Sequence, residues 1–571
     1  MIPRSTILAS SLRHLRVSRR IPSTSPKSLR RSLSQAARPE NNGPSPSTEA
    51  SKPRGISPFG VIASMVIAAA LGYGASTLST RNDAAAAVIL DERRLPQVNY
   101  ASLKDMEKAI DEIQTLFSDV DGIISTDSDD LLAHGYSEWS SVNVDTLPVA
   151  VAYPRSTEHV SGIAHICHKW KVPIIPFSGG SSVEGHISAP FGGVSIDFAF
   201  MDRIVKLNKE DMDVVVQPSV CWTDLNHELA KQGTGLWFPI DPAPSAKIGG
   251  MIGTNCSGTN AVRYGTMRDW VINMTVVLAD GSVVKTRRRP RKCSAGYNLN
   301  GLIVGSEGTL GIVTEATLKL AAVPDHFSVA VVPFDDLRGA VSAAADIIRR
   351  GVQVAAVELM DETQMKIVNE GGATRPRVWK ETPTLFLKFS GTKGTVDDNI
   401  KTVREIMKPH SPLAFEFARD EHEQKMLWSA RKESLYSLLA MRQDGEEMWN
   451  TDVAVPLSRL ADIIEDSKAH AASLGLKACV KGHIGDSNFH ENITYDKTDP
   501  QEAEKAKIAV KTMVKRALEM EGTCTGEHGV GIGKKDALLQ EVGQDTIQVM
   551  KLLKGVLDPY WIMNPGKVFN R

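Results

Sequence analysis

The chain has 571 residues, enough for two or three domains with a substantial core, and its formal net charge is −1. Residues 1–39 contain eight arginines, one lysine and no acidic residue, so the remaining chain carries 57 basic and 67 acidic side chains. This acidic body excludes nucleic acid as the expected partner, and six scattered cysteines exclude a zinc finger or a disulfide framework.

The N-terminal 80 residues carry two targeting signals. Residues 1–39 are rich in Arg and Ser and free of acids, which is typical of a mitochondrial transit peptide, and residues 40–55 form a linker. Residues 56–80 contain no charge and are long enough to cross a bilayer, so they predict a single transmembrane helix. The basic flank before this helix predicts an inner-membrane anchor with the catalytic part in the intermembrane space. A disordered basic tail, a buried helix and a longer cleaved presequence are the alternatives.

The rest of the chain divides into four parts. Residues 81–145 have a polar, helical pattern that leads into the globular part. Residues 146–323 alternate short β-rich runs with glycine clusters, and residues 324–520 combine longer helices with sparser strands. Residues 521–571 form a C-terminal segment. The pattern predicts an α+β fold with two domains.

Three glycine clusters lie in the first domain, within Pro176–His186, Gly249–Gly265 and Gly305–Glu315. Successive backbone N–H groups in such loops form a concave anion site, and glycine lets the backbone approach a diphosphate closely. None of the clusters matches G-x-G-x-x-G or the P-loop, so a dinucleotide-binding Rossmann fold and an NTPase are not indicated. The three clusters together predict an extended cofactor that carries a diphosphate.

Two short segments near the C-terminus predict a metal site. A hairpin with the four-residue turn Gly485–Asn488 makes His483 face His490, with Cβ atoms about 4.5–5.5 Å apart. Both imidazoles then reach one ion, and Glu527 supplies a third ligand, which leaves an open position as in a catalytic metal site. His528 is left free as a base. Imidazole with carboxylate favours zinc, with manganese and iron as alternatives.

These motifs carry a resemblance over residues 148–571. The three glycine clusters resemble the FAD domain of flavoproteins of the vanillyl-alcohol-oxidase type. The segments Gly482–His490 and Thr523–Gly529, with the ending Met563–Lys567, are similar to FAD-linked D-2-hydroxy-acid dehydrogenases. The resemblance implies an FAD-binding domain of two subdomains at 146–323. It also implies an α+β substrate (cap) domain with an antiparallel sheet, and a C-terminal segment that returns to the flavin.

The resemblance also implies which residues bind the cofactor. The expected FAD contacts lie in the three clusters and in the C-terminal ending: Ser178, Gly179, Gly180, Ser181, Ser182, Gly185, His186, Gly249, Gly250, Gly253, Asn255, Gly258, Gly308, Thr309, Ile312, Val313 and Asn564. Histidines attach flavin covalently in some related oxidases, but a contact role is favoured for His186. Whether His186 is attached to the flavin stays open.

The implied activity is oxidation of D-lactate to pyruvate, with hydride transfer to FAD and electrons passed to cytochrome c. A metal chelates the substrate, His528 removes the hydroxyl proton, Arg431 clamps the substrate carboxylate and Asn492 orients the substrate. Relatives that act on D-2-hydroxyglutarate carry a lysine where this chain has Asn450, which favours a short monocarboxylic acid. The alternatives are a dehydrogenase for D-2-hydroxyglutarate or another D-2-hydroxy acid, a transferase similar to alkylglycerone-phosphate synthase, and a tethered scaffold without activity.

Overall fold

The computed structural model describes residues 98–571. The predicted transit peptide (1–39), linker (40–55) and transmembrane helix (56–80) lie outside these residues. Within residues 98–571, no helix combines the length and the apolar character that a membrane span needs.

The first layer of the structure packs helices on a small mixed sheet. Its strands lie in the order β1 (Ile124–Ser125), β2 (Ala150–Ala152), β4 (Val194–Asp197) and β3 (Ile174–Phe177), with β2 and β3 parallel to β4. Its helices are α1 (Leu103–Leu116), α2 (Ser128–Ala133) and α3 (Thr157–Trp170). Apolar residues at helical spacing, such as Ala109 with Ile113 and Val160 with Ile163, are fully buried and form the core of this layer.

The second sheet is antiparallel and has five strands. Their order is β5 (Ile204–Asn208), β6 (Asp213–Val216), β10 (Ile312–Lys319), β8 (Val271–Val277) and β9 (Val283–Lys285). A two-stranded sheet pairs β7 (Leu236–Trp237) with β11 (Ala321–Ala322). The helices of this region are α4 (Trp222–Lys231), α5 (Ile248–Thr254), α6 (Ala261–Tyr264), α7 (Met267–Trp270) and α8 (Leu299–Ile303). The seven-residue strand β8 is mostly apolar and almost wholly buried, as expected of an interior strand between β10 and β9.

The third sheet has eight strands, and all its pairs are antiparallel. The order is β15 (Glu416–Phe417), β12 (His326–Pro333), β14 (Thr384–Gly391), β13 (Ala356–Met360), β18 (Lys477–Gly482), β19 (Asn488–Asp496) and β16 (Glu446–Asn450), with β17 (Val453–Ala454) also paired to β19. The predicted α+β fold is therefore confirmed.

Helices cover both faces of the third sheet. The apolar face packs against α9 (Leu337–Arg349), α11 (Lys393–Met407), α13 (Leu460–Ser473) and α14 (Pro500–Glu519). The opposite face packs against α10 (Glu362–Gly371) and α12 (Glu421–Ala440), where Met360 and Phe386 form a smaller apolar cluster. Strand residues alternate between the two faces, so Glu358, between the core residues Val357 and Leu359, lies on the second face.

The C-terminal segment returns to the first two sheets. After α15 (Lys535–Leu557), Met563 forms an isolated parallel bridge with Ile174 of β3. The buried amine of Lys554 donates to the backbone oxygens of Thr309, at 2.6 Å, and of Met563, at 2.8 Å. The chain end is thus fixed against two of the glycine clusters.

Candidate active site

His483, His490 and Glu527 meet at one point between the third sheet and the C-terminal segment. Nε2 of His483 lies 3.2 Å, and Nε2 of His490 lies 3.4 Å, from Oε1 of Glu527. The two imidazole centroids are 5.5 Å apart. One ligand atom from each of the three side chains lies within 4.8 Å of the others, a spacing that a single metal ion can bridge. The structure therefore brings together the three residues predicted as metal ligands.

The hairpin that carries the two histidines differs from the prediction. The connection between β18 and β19 contains a 3₁₀ turn at Ile484–Asp486, so the predicted four-residue turn Gly485–Asn488 is wrong. Lys481 is the residue opposite His490, and His483 lies in the loop. The loop between β18 and β19 is longer than predicted because Ile484, within it, is fully buried in the core of the third sheet. A tertiary contact, rather than the hairpin register, thus brings the imidazoles together.

Hydrogen bonds at Nδ1 determine which nitrogen of each imidazole faces Glu527. Nδ1 of His483 lies 2.9 Å from Oε1 of Glu358, and Nδ1 of His490 lies 3.0 Å from the backbone oxygen of Thr451. A carboxylate and a carbonyl accept hydrogen bonds, so Nδ1 donates and Nε2 is the nitrogen that can bind a cation or a proton. Two Nε2 atoms and one carboxylate therefore converge, which is a set of atoms that suits a catalytic metal site.

The charges around this point favour a cation. Burial alone would lower the pKa of His483, but the charges of Glu358 and Glu527 raise it well above its usual value. Burial would raise the pKa of Glu527, but His483 and His490 hold it well below its usual range. Without a metal, the cluster takes up a proton. The residues present therefore fit a divalent cation.

His528 lies directly against His490, with ring centroids 4.9 Å apart and planes 8° from parallel. Burial lowers the pKa of His528 to about 4, so its imidazole is neutral at neutral pH. Its Nδ1 is buried and has no hydrogen-bond partner among residues 98–571. The predicted base is thus beside a predicted ligand, neutral and able to accept a proton.

Asp452 holds the loop that carries Glu527 and His528. Its carboxylate accepts hydrogen bonds from two side chains and two backbone groups: Nδ2 of Asn488 at 2.8 Å, Oγ1 of Thr525 at 2.7 Å, and the N–H groups of Glu527 and His528 at 2.9 Å each. Asp452, His490 and His528 also lie at ligand spacing. Because the oxygens of Asp452 already accept these bonds, the group serves to position the loop.

Arg431 and Asn492 lie on the elements that frame the histidines. Nε of Arg431, on α12, donates to Oε2 of Glu358 at 2.8 Å, and Nη2 lies 2.8 Å from the same oxygen. The Arg431 side chain is 12% exposed. Asn492 is buried on β19, two residues after His490. The same carboxylate, Glu358, therefore contacts both Arg431 and His483.

The predicted FAD-binding residues lie in loops and turns at the edges of the first two sheets. Those of the first cluster follow β3, in the connection to β4: Ser178, Gly179, Gly180, Ser181, Ser182, Gly185 and His186. Those of the second cluster belong to α5 or follow it: Gly249, Gly250, Gly253, Asn255 and Gly258. Those of the third cluster precede or begin β10: Gly308, Thr309, Ile312 and Val313. Asn564 follows α15.

The structure brings these clusters together through Glu307 and its neighbours. The N–H of Glu307 donates to the backbone oxygen of Gly253 at 2.9 Å, and its own backbone oxygen accepts from Nδ2 of Asn564 at 2.7 Å. A Cβ added to Gly308, whose φ is +71°, would lie 2.8 Å from Cγ of Pro176. The second, third and C-terminal groups, together with the strand before the first cluster, thus form one surface.

This surface fits a cofactor with many polar groups. The buried oxygens Oγ of Ser141, Oγ of Ser188 and Oδ1 of Asn564 have no hydrogen-bond partner in the part of the chain that the structure describes. Buried polar atoms in folded proteins are almost always paired. A Cβ added to Gly250 would meet no atom within 4 Å, so the backbone there faces open space. Asn255, another predicted cofactor contact, differs from these residues. Its Oδ1 already accepts hydrogen bonds from the hydroxyl of Thr266 and from the backbone N–H of Arg268.

The surface formed by the glycine clusters adjoins the group formed by His483, His490 and Glu527. Oγ of Ser257, in the second glycine cluster, donates to Oε2 of Glu527 at 2.7 Å. The carboxylate of Glu307 accepts from the N–H groups of Val530, at 2.6 Å, and Gly531, at 2.8 Å, just after His528. Nε2 of His186 lies 3.0 Å from the same carboxylate. Direct contacts thus join the glycine clusters to the loop that carries Glu527 and His528.

Sequence reasoning missed the charged residues that position the site. They are Glu184, Glu307, Glu358, Asp452 and Lys534. Glu184 and Glu307 lie within glycine clusters, and Glu358 is the one charge in the apolar strand β13, so each left a signal in the sequence. Lys534 lies 3.3 Å from Glu184 and 3.7 Å from Asp452, which joins the first cluster to the histidine loop.

Comparison with known proteins gives consistent family matches. Residues 148–287 match the family described as FAD binding domain, and residues 323–568 match the C-terminal domain of FAD linked oxidases. The chain is 46% identical over 484 residues to the mitochondrial D-lactate dehydrogenase [cytochrome] of Kluyveromyces lactis, covering 83% of each chain. It is 43% identical over 473 residues to D-lactate dehydrogenase [cytochrome] 1 of Saccharomyces cerevisiae, covering 81% of this chain and 80% of that protein.

Solved structures share the fold. The 4-ethylphenol oxidase of Gulosibacter chungangensis superposes with a TM-score of 0.69 at 19% identity, over 83% of this chain and 99% of that chain. At this identity the match concerns the fold alone. Together with the family matches, it confirms the predicted FAD-binding fold.

Proposed function

This chain belongs to the family of FAD-linked oxidases that includes the two yeast relatives, and we propose that it oxidises D-lactate to pyruvate. The observation that carries this proposal is the convergence of two imidazole Nε2 atoms, one carboxylate and one neutral histidine beside the glycine clusters. A 2-hydroxy acid needs these groups, because its carboxylate and hydroxyl must be held while one proton is removed.

The residues predicted to bind FAD would hold the cofactor in the surface formed by the three clusters and Asn564. FAD held there would supply the acceptor for the hydride of the substrate α-carbon. Ser257 keeps Glu527 at the edge of this surface, and Glu307 fixes the segment that follows His528. We take residues 146–323 as the FAD-binding domain, 324–520 as the substrate domain and 521–571 as the segment that closes the site.

His483, His490 and Glu527 would hold one divalent cation. Such a cation supplies Lewis-acid stabilisation to the substrate hydroxyl and carboxylate. Imidazole and carboxylate ligands favour zinc, with manganese or iron as alternatives. Glu358 and Thr451 keep the two Nε2 atoms directed at the cation, since each accepts the hydrogen of an Nδ1.

His528 accepts the proton of the substrate hydroxyl. Its imidazole is neutral because burial lowers its pKa, and the stacked ring of His490 fixes its orientation. A positioned base of this kind contributes about 10²–10⁴-fold to the rate. Arg431 binds the substrate carboxylate, while its Nε donates to Glu358 and its Nη2 lies against the same carboxylate oxygen. Asn492, which lies two residues after His490 on β19, orients the substrate.

In this proposal cytochrome c would be the electron acceptor, and the protein would act in mitochondria. The names of the two yeast relatives support a cytochrome as the acceptor and a mitochondrial location. The acidic charge of residues 40–571 favours a basic acceptor protein. The apolar run at 56–80 would anchor the chain in the inner membrane, with the catalytic part in the intermembrane space.

Anaerobic addition of substrate to the purified holoenzyme tests the proposal. D-lactate should bleach the flavin absorbance, whereas L-lactate at the same concentration should leave it unchanged. D-2-hydroxyglutarate should bleach it much more slowly, because Asn450 offers no charge to a second carboxylate. Bleaching by D-2-hydroxyglutarate but not by D-lactate would replace the proposed substrate, and no bleaching by any hydroxy acid would refute the dehydrogenase activity.

A further inference from the structure

Glu358 is a buried charge in an apolar strand. It occupies the middle of β13, its side chain is 1% exposed, and its cross-strand partner is Phe386. A carboxylate in such a place is costly unless several groups satisfy it. The residues that contact Glu358 therefore indicate its role.

The two oxygens of Glu358 contact two different functional residues. Oε1 lies 2.9 Å from Nδ1 of His483, the nitrogen that faces away from Glu527. Oε2 accepts from Nε of Arg431 at 2.8 Å and lies 2.8 Å from its Nη2. His483 and Arg431 belong to a loop and to a helix that are 52 positions apart in the chain. One carboxylate thus fixes both.

Each contact has a definite chemical consequence. At His483, the acceptor keeps the hydrogen on Nδ1, so Nε2 presents its lone pair and becomes a better metal ligand. At Arg431, the bond to Nε fixes the plane of the guanidinium, so Nη1 points in one direction only. A glutamine has one acceptor oxygen and a donating NH₂ group, so it cannot satisfy both partners.

The positive charge of Arg431 adds to the effect of the Glu358 charge. Arg431 is in direct contact with Glu358, which also contacts His483. If Glu358 loses its charge, the guanidinium is left without its buried partner next to a ligand of the cation. Repulsion between Arg431 and the cation would weaken metal binding in the same direction as the loss of the His483 hydrogen bond.

We propose that Glu358 is a positioning residue that holds the metal ligand His483 and the carboxylate-binding Arg431 in one arrangement. The substrate can then present its hydroxyl to the metal and its carboxylate to the arginine at the same time. The inference rests on the proposed function. It assigns to one side chain, which contacts neither metal nor substrate, a joint effect on metal affinity and on KM.

A nearby carboxylate provides a matched control. Asp361 is 0% exposed and three positions after Glu358, and its Oδ2 lies 2.6 Å from Nζ of Lys468. Its Oδ1 caps α10 by accepting from the N–H of Gln364, which an asparagine oxygen can also do. Asp361→Asn therefore removes a buried ion pair of the same domain without touching His483 or Arg431.

The experiment compares Glu358→Gln with Asp361→Asn in the holoenzyme. The affinity for Zn²⁺ alone is measured by competition with a chelator, and KM and kcat for D-lactate are measured by flavin reduction. Glu358→Gln should weaken Zn²⁺ binding by roughly tenfold or more and raise KM by a similar factor, with FAD still bound. Asp361→Asn should change only the unfolding temperature.

Zn²⁺ affinity and KM within twofold of wild type in Glu358→Gln would overturn the proposal, and so would equal losses in both variants. If Glu358→Gln does not fold, Glu358→Asp keeps the charge but shortens the side chain, and it should still lose one of the two contacts. Wild-type values in Glu358→Asp would then overturn the proposal. Wild-type protein that binds Zn²⁺ but is not reduced by D-lactate refutes the proposed substrate, while the Zn²⁺ comparison still decides the role of Glu358. Wild-type protein that binds no divalent cation refutes that role.

Discussion

Two carboxylates of the site, the buried Asp452 and the partly buried Glu527, are satisfied in different ways. Asp452 is surrounded by hydrogen-bond donors of its own chain. Glu527 accepts a hydrogen bond from Ser257, and its other oxygen faces Nε2 of His483 and Nε2 of His490. Asp452 is thus satisfied by hydrogen-bond donors of the fold, whereas Glu527 depends on a positive charge, either a proton on the imidazoles or the cation of the proposed function.

The comparison implies that stability and activity depend on different side chains of one small region. Burial alone would raise the pKa of Asp452, but neighbouring positive groups, among them Lys534, hold it well below its usual range. Removing this carboxylate should therefore unfold the loop. Removing a ligand of the cation should leave the loop folded and abolish metal binding.

The largest effect is expected for His490→Ala. This variant should lose the metal and lower the rate of D-lactate-driven flavin bleaching on the order of 10⁴-fold, because a metal supplies several kcal/mol of transition-state stabilisation. Its unfolding temperature should stay close to that of the wild type. Elemental analysis and stopped-flow absorbance measure the two quantities, and the exposed residue His422, replaced by Ala, is the control. Unchanged metal content would refute the ligand assignment.

His528→Ala should slow the reaction without loss of the metal. The protein should stay yellow and keep its metal, while bleaching by D-lactate slows on the order of 10³-fold through loss of the general base. Absorbance spectra, elemental analysis and single-turnover kinetics provide the measurements. A bleaching rate equal to that of the wild type would remove His528 as the base.

Asp452→Asn should lower the stability of the protein, whereas the two preceding variants should lower its activity. Lys534 then loses a buried charge partner, and the side-chain amide opposes the N–H groups of Glu527 and His528. We expect the free energy of unfolding to fall by about 3–5 kcal/mol, as for a broken buried ion pair. Urea denaturation measures this change. A variant as stable as the wild type would contradict the structural role assigned to Asp452.

Ser257→Ala should have the smallest effect. It removes the hydrogen bond from the FAD-domain cluster to Glu527, and a hydrogen bond to a charged group contributes roughly 1.5–3 kcal/mol. Metal affinity should fall about tenfold, with little change in unfolding temperature. Competition with a chelator measures the metal affinity. A loss as large as that in His490→Ala would mean that Ser257 is itself a ligand.

The sequence predicted the chemistry of the site better than its geometry. Two histidines and a glutamate framed by glycines are visible as motifs, so His483, His490 and Glu527 were predicted to meet, and the structure brings them together. Their hairpin register was wrong, because burial of Ile484 is a tertiary contact that no local pattern contains. The glycine clusters were likewise visible, since their composition reflects the close approach of backbone segments.

The positioning residues were not predictable from local sequence. Glu358 is 125 positions from His483, and only the order β13–β18–β19 of the third sheet makes them neighbours. Asp452 and Lys534 meet because the C-terminal segment folds back onto β17 and the first glycine cluster. Pairings of this kind depend on the topology of the whole domain.

The metal-to-flavin ratio of the purified holoenzyme tests the central claim most directly. We predict one divalent cation per FAD in the wild type and in His422→Ala, and none in His490→Ala. Removing the cation with a chelator should abolish bleaching by D-lactate while the flavin stays bound. Protein that is free of divalent cations and is still bleached by D-lactate at the full rate would contradict the account.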